Sequence, residues 1–226
     1  KTRAIIVNSP HNPTGAILSS DDLNTLAAIV DSKDIYLISD EVYEHMVFGN
    51  AHHHSFASHD LLKHRTFVVS SFGKTYHATG WKVGYCLAPA DMTHEFRKIH
   101  QFVTFTTHTP SQWAIADFLE HHPEHHVELP AFYQAKRDFF LEAMQGIGFR
   151  MSPSPGTYFQ LAAYDDLSRL DDQAFVTEIT TKAGVAAIPV SVFYDKPPEM
   201  KVIRFCFAKE EDTLQEAADR LRAYFA

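Results

Sequence analysis

Lys74 is the side chain in this sequence best placed for covalent chemistry. It closes the stretch Ser71-Phe72-Gly73-Lys74, directly after the apolar run at 66–70, and Thr79-Gly80-Trp81-Lys82-Val83-Gly84 follows. The pattern predicts a strand that delivers a lysine into a glycine-bearing turn, with a second lysine, Lys82, soon after. A lysine taken out of water has a lowered pKa, and its free amine can attack a carbonyl to form a Schiff base. Ser71 and Lys82 are groups suited to a phosphate. The set therefore fits an aldehyde that carries a phosphate. Ser-x-x-Lys spacing alone also occurs in β-lactamase-like enzymes, but their Ser-Asp-Asn and Lys-Thr-Gly tripeptides are absent here.

Three further positions extend this chemistry toward pyridoxal phosphate, an aldehyde of that kind. Asp40 ends the apolar run at 35–39; a carboxylate there can keep a pyridine nitrogen protonated, so that the ring accepts electrons from a carbanion. Tyr43 can donate a hydrogen bond to a phenolate oxygen. Asn12 lies between Pro10 and Pro13, where its backbone is restricted, and its amide can serve a cofactor oxygen or a substrate carboxylate. Taken singly, each also reads as an ordinary residue: a strand-end aspartate, a half-buried tyrosine, a turn asparagine. Arg204 sits inside the apolar run Val202-Ile203-Arg204-Phe205-Cys206-Phe207 and needs an anion. A substrate carboxylate, gripped by the guanidinium fork, and an internal aspartate or glutamate satisfy that need equally.

The histidine clusters His52-His53-His54 and His121-His122-Pro123-Glu124-His125-His126 carry metal-ligand side chains. Both lie in polar, loop-like stretches, and Pro123 disturbs i, i+4 pairing. They imply adventitious metal affinity, and no metal site is assigned. Trp81 and the phenylalanines read as core.

The elements needed to hold these groups follow from periodicity. Strands are expected at 4–7, 35–39, 66–70 and 83–88. Between the first two, Ser19-Ser20-Asp21-Asp22 starts a helix whose buried face is Leu23, Leu26, Ala27 and Val30. Strand, helix, strand with a short return implies a right-handed crossover in a mostly parallel sheet. Ligands collect at strand ends in such sheets, and Asn12, Asp40 and Lys74 each follow an apolar strand. Helices are expected at 89–105, 110–120 and 129–145. Beyond them lie strands at 149–151, 157–161, 186–190 and 202–207, a helix at 171–182 and an amphipathic closing helix. The expected class is α/β with a second, smaller α+β unit, divided as 1–125 and 126–226.

A formal net charge of −8 with no basic block argues against nucleic acid and anionic membrane surfaces as partners. No apolar run approaches the ~20 residues that span a bilayer. Cys86 and Cys206 each sit in an apolar run, which reads as two free thiols in a reducing, cytoplasmic setting.

Taken in order, Asn12-Pro13-Thr14-Gly15, Ser39-Asp40-Glu41-Val42-Tyr43, Ser71-Phe72-Gly73-Lys74 and Arg204-Phe205 resemble the fold-type I pyridoxal-phosphate enzymes, specifically the class I aminotransferases. The wording from Ser70 to His77 and from Thr79 to Cys86 resembles the branch of bacterial methionine aminotransferases and kynurenine or glutamine transaminases. The resemblance implies that Lys74 is the Schiff-base lysine, that Asp40 partners the pyridine nitrogen, and that Tyr43 and Asn12 bond the phenolic oxygen. It further implies that Ser71 and Lys82 hold the phosphate and that Arg204, with Asn12, holds the substrate carboxylate. Lys82 stands where the wider family has arginine, a point charge in place of a fork.

The same resemblance implies transamination of an apolar, thioether or aromatic amino acid, methionine favoured, with a keto acid as acceptor, in a homodimer. The chain begins at Lys1 already entering a strand, and the resemblance casts it as the C-terminal part of the family's length. The N-terminal arm, a glycine-containing phosphate loop and a residue stacking on the cofactor are then expected upstream. Two alternatives stay open at this point: a β-eliminating C–S lyase using the same lysine, and a non-catalytic cofactor-binding domain of a transcription regulator.

Overall fold

The computed structural model describes residues 1–226, which form two compact units. The first comprises Lys1–His11 and Ile17–Pro130; the second comprises Asn12–Ala16 and Ala131–Ala226. The 125/126 division expected from the sequence thus falls within the first unit, and residues 12–16 join the second.

In the first unit, β1 (Ala4–Asn8) leads through α1 (Ser20–Asp31) to β2 (Tyr36–Asp40). Ser19 caps α1: its hydroxyl accepts from the Asp22 N–H, and the Asp22 carboxylate accepts from the Ser19 N–H. This reciprocal arrangement satisfies two donors that a helix start leaves open. The face expected from periodicity is the one buried, with Leu23, Ala27 and Val30 enclosed and Leu26 partly so. It packs on Ile35, Leu37 and Val68 of the sheet side, together with Phe56 and Leu62.

Next come β3 (Thr66–Ser71), the single-turn helix α2 (Phe72–Thr75) and β4 (Gly84–Leu87). The sheet order is β1-β2-β3-β4; β1, β2 and β3 run parallel, and β4 returns antiparallel to β3. Helices α3 (Ala90–Val103), α4 (Thr109–His121) and α5 (His125–Ala143) follow. Helix α5 starts four residues before the expected 129, because the Val127 and Glu128 N–H groups both bond the Glu124 carbonyl and form a turn upstream of Pro130. Trp81 is not a core residue: it is half exposed, and Trp113 is more open still.

The second unit holds β5 (Phe159–Ala163), α6 (Asp172–Glu178), β6 (Ile188–Pro189), β7 (Val202–Cys206) and α7 (Glu211–Phe225). Its antiparallel sheet has the order β5-β7-β6. Strand β5 starts two residues later than expected because Thr157 has a left-handed backbone, φ +64°, which no strand residue adopts. The expected strand at 149–151 reduces to one bridge, Arg150 to Ala163. Prolines 153 and 155 directly follow and offer no N–H to a ladder. Helix α6 ends early and passes into a π-helical turn, Ile179–Ala183, stopped by Gly184 at φ +70°. The core is aromatic: Tyr164 stacks on Phe175 at 4.0 Å, and Phe149 meets Phe205 edge-on.

Leu37 is fully enclosed at the centre of the first unit's core. Leu37→Ala is expected to cost about 2–5 kcal/mol in urea-induced unfolding, as lost burial plus a cavity.

Candidate active site

Parallel register brings the first unit's reactive groups to one edge of its sheet. Asn8, Asp40 and Val69 are neighbours on β1, β2 and β3. The Asn8 side chain and the Ser9 N–H both donate to the Asp40 carbonyl, at 2.9 and 3.1 Å. Asp40 Oδ1 accepts from the Val42 N–H at 3.2 Å, which starts the turn that carries Tyr43. Tyr43 is buried. Two residues beyond Val69, Ser71 leaves the strand as the N-cap of α2, and its hydroxyl makes no capping hydrogen bond. Lys74 is the third residue of that helix and is half-buried, not enclosed as the sequence reading expected. Lys82 is exposed, in a left-handed conformation with φ +56°. Gly84 is required opposite: a Cβ there would lie 2.6 Å from the Ser70 carbonyl.

A carboxylate network braces this edge from behind. Glu44 Oε1 accepts from Ser70 Oγ at 2.9 Å and from the Tyr85 hydroxyl at 2.5 Å. Burial, reinforced by Glu44, pushes the Tyr85 phenol up to about 12. Glu41, buried beside Asp40, accepts from Ser39 Oγ, the Phe56 N–H and His53 Nε2 at 2.8–3.0 Å. The sequence reading gave neither glutamate a role. The signal available was Glu41 within the quoted Asp40 motif, but its partners Ser39, His53 and Phe56 are brought together only by the fold. Glu41, Glu44 and His53 place three ligand-type atoms within 4.8 Å of one another. The carboxylates already accept hydrogen bonds from protein donors.

The second unit contributes Asn12 and Arg204. Arg204 lies on β7, and its Nη1 donates to Asn12 Oδ1 at 2.5 Å. Its guanidinium carbon stands 3.9 Å from the centre of the Phe159 ring, a cation–π contact. The loop carrying Asn12 is seated by Gly15, at φ +74°: a Cβ there would lie 1.9 Å from Ser154 Oγ and 2.8 Å from the Gly156 carbonyl. Ser154 is itself fixed, its N–H donating to Gln160 Oε1 and its carbonyl accepting from Arg137. Arg204 also borders a cavity of about 610 Å³ whose wall includes Phe140, Tyr158, Phe159, Val185 and Ile188.

Residues 1–221 match the family described as aminotransferase class I and II. The methionine aminotransferase of Escherichia coli is 49% identical over 222 residues, covering 98% of this chain and 58% of that protein. Human kynurenine–oxoglutarate transaminase 1 is 34% identical over 99% of this chain and 58% of its own length. Among solved structures, that of the E. coli enzyme superposes with a TM-score of 0.95 over 98% of this chain and 58% of that one. The N-succinyldiaminopimelate aminotransferase of Mycobacterium tuberculosis superposes with a TM-score of 0.93 at 39% identity over the same shares. The chain belongs to the class I and II aminotransferases, a family that works with pyridoxal phosphate. It spans a little under three-fifths of the length of these relatives.

Burial works to raise the Glu41 carboxyl, but hydrogen bonds from His53 and the Phe56 N–H outweigh it and hold the pKa below the ordinary value of 4.5. A depressed carboxyl stabilises the fold above its unfolded pKa, and that contribution disappears as pH falls through the folded value. In Glu41→Gln the acid limb of the stability–pH curve below about 4.5 should be shallower than in the unaltered protein. At pH 7 the same variant should lose about 1–3 kcal/mol. Urea unfolding between pH 3 and 7 checks both.

Proposed function

We propose that this chain carries the lysine-bearing part of a pyridoxal-phosphate-dependent aminotransferase. Its donor is an apolar, thioether or aromatic amino acid, methionine foremost, and its acceptor a keto acid. The observation that carries the reading is Lys74 on a one-turn helix directly off β3, with Asp40 ending the neighbouring parallel strand. The donor set suits the group: an amine for the aldehyde, a carboxylate for the ring nitrogen, a phenol for the ring oxygen, a hydroxyl and an ammonium for the phosphate.

Lys74 Nζ would bind the aldehyde carbon, and Asp40 would hold the ring nitrogen charged. Tyr43 and Asn12 would donate to the phenolic oxygen; Ser71 and Lys82 would take the phosphate. Bound pyridoxal phosphate supplies an electron-withdrawing ring that stabilises negative charge at the amino acid's α-carbon. Arg204 would hold the substrate carboxylate, with Asn12 orienting its guanidinium through the 2.5 Å hydrogen bond. Once the substrate amine has taken its place, Lys74 Nζ would remove the α-proton as general base and return it.

The preference for an apolar side chain rests on Phe159 beside Arg204 and on the names of the relatives; the cavity that Arg204 borders is lined by Lys209, Glu216 and Arg220 as well as by aromatic rings. The names of the E. coli and human relatives support transamination over β-elimination. Pairing into a homodimer and a cytoplasmic setting belong to the same reading. No helix is long and apolar enough to cross a membrane.

Lys74→Ala, in the protein at its full natural length, should lower transamination of methionine by on the order of 10⁴-fold or more while leaving the far-ultraviolet spectrum unchanged. Arg204→Gln should lower kcat/KM for methionine by on the order of 10²-fold, through loss of the charged carboxylate contact. Retained turnover in the lysine variant would refute the assignment. Pyruvate and ammonia released from cystathionine without a keto-acid acceptor would favour the lyase.

A further inference from the structure

The turn that follows Lys74 is held by a residue fifty positions downstream. Helix α2 is a single turn, too short to be stable alone, and its last carbonyl groups need partners from elsewhere. The chain supplies two of them: the Tyr76 N–H bonds the Phe72 carbonyl at 2.9 Å, and the Ala78 N–H bonds the Gly73 carbonyl at 3.0 Å. The Thr75 carbonyl, next to Lys74, is bonded by His125 Nε2 at 2.8 Å. A carbonyl only accepts, so Nε2 carries the hydrogen. The same imidazole stacks on Tyr76, with centres 5.3 Å apart and planes 27° from parallel. It meets His77 edge-on at 5.6 Å and Phe118 edge-on at 5.4 Å. One ring therefore touches Thr75, Tyr76 and His77 in succession. His77 has φ +54°, a conformation that non-glycine residues keep only when their surroundings impose it.

We propose that His125 is a positioning residue for Lys74: by clamping the three residues after it, His125 fixes the direction in which Nζ leaves α2. This rests on the assignment of Lys74 as the cofactor lysine. A reacting nitrogen must meet its partner atom in a narrow range of distance and direction, and that direction is set by the turn that carries it. A loosened turn therefore changes the chemistry as well as the fold.

Two variants separate the contacts. His125→Phe keeps a ring for stacking and loses the donor; His125→Gln keeps an N–H donor and loses the ring. His122→Phe serves as control, since His122 packs on Phe118 but makes no bond to the Lys74 turn. All are made in the protein at its full natural length. Hydrogen exchange at the Tyr76 and Ala78 amides, read without added cofactor, should be about tenfold faster in His125→Phe. Exchange in α1 should be unchanged, and His122→Phe should match the unaltered protein. With pyridoxal phosphate added, the pH midpoint of the bound cofactor's visible band should move by about half a unit or more in His125→Phe. The single-turnover rate with methionine should fall about tenfold, and His125→Gln should restore most of both. Unaltered exchange at Tyr76 and Ala78 in His125→Phe overturns the inference whether or not cofactor binds. So does an unmoved midpoint in a variant that binds it. A full-length unaltered protein that shows no cofactor band at all instead overturns the proposed function.

Discussion

Everything at the first unit's reactive edge depends on the parallel register of β1, β2 and β3. Parallel strands can be joined only by crossovers, so their C-terminal ends fall on one side, where the loops are free to carry polar groups. Asn8 opposite Asp40, and Asp40 opposite Val69, put the exits of three strands side by side. From there the chain has little freedom. Asn8 and Ser9 hold the Asp40 carbonyl, Asp40 Oδ1 starts the turn that buries Tyr43, and Ser71 is the last strand residue before the turn that presents Lys74. A slip of one residue in β2 would exchange the faces of Leu37 and Ile38 and turn the Asp40 side chain away. The buried core behind the sheet is thus what aims the polar edge.

The second unit solves a different problem, how to keep an arginine in an apolar strand. Arg204 finds a neutral oxygen on Asn12 and an aromatic face on Phe159. Asn12 can serve only because its loop lies flat on Ser154 and Gly156, a fit that leaves no room for a Cβ at residue 15. The hydrogen bond between Arg204 and Asn12 spans 192 residues of sequence, and it explains why a five-residue segment near the start belongs to the later unit.

Local patterns made much of this legible. Alternation and apolar runs located the strands; serine and aspartate at 19–22 located the start of α1; the apolar run at 66–70 located the strand that Lys74 follows. What could not be read were pairings between distant side chains. Nothing local to Glu44 announces Tyr85 and Ser70 as its donors, and nothing in the run of histidines near 121–126 singles out the one that reaches Thr75. Periodicity also failed where backbone conformation overrules it. Thr157 turns left-handed at the expected start of β5, and prolines 153 and 155 interrupt the ladder that residues 149–151 would have joined. Trp81 reads as core from its type alone, yet it is the last residue of an exposed turn, 79–81, between Lys74 and Lys82.

The central claim is that one amine at the end of β3 binds a vitamin B6 aldehyde. The most direct measurement is borohydride reduction of the full-length protein after incubation with pyridoxal phosphate, followed by peptide mapping. The account predicts a single pyridoxyl label on Lys74. A label on Lys82 or any other lysine, or no label at all, would contradict it.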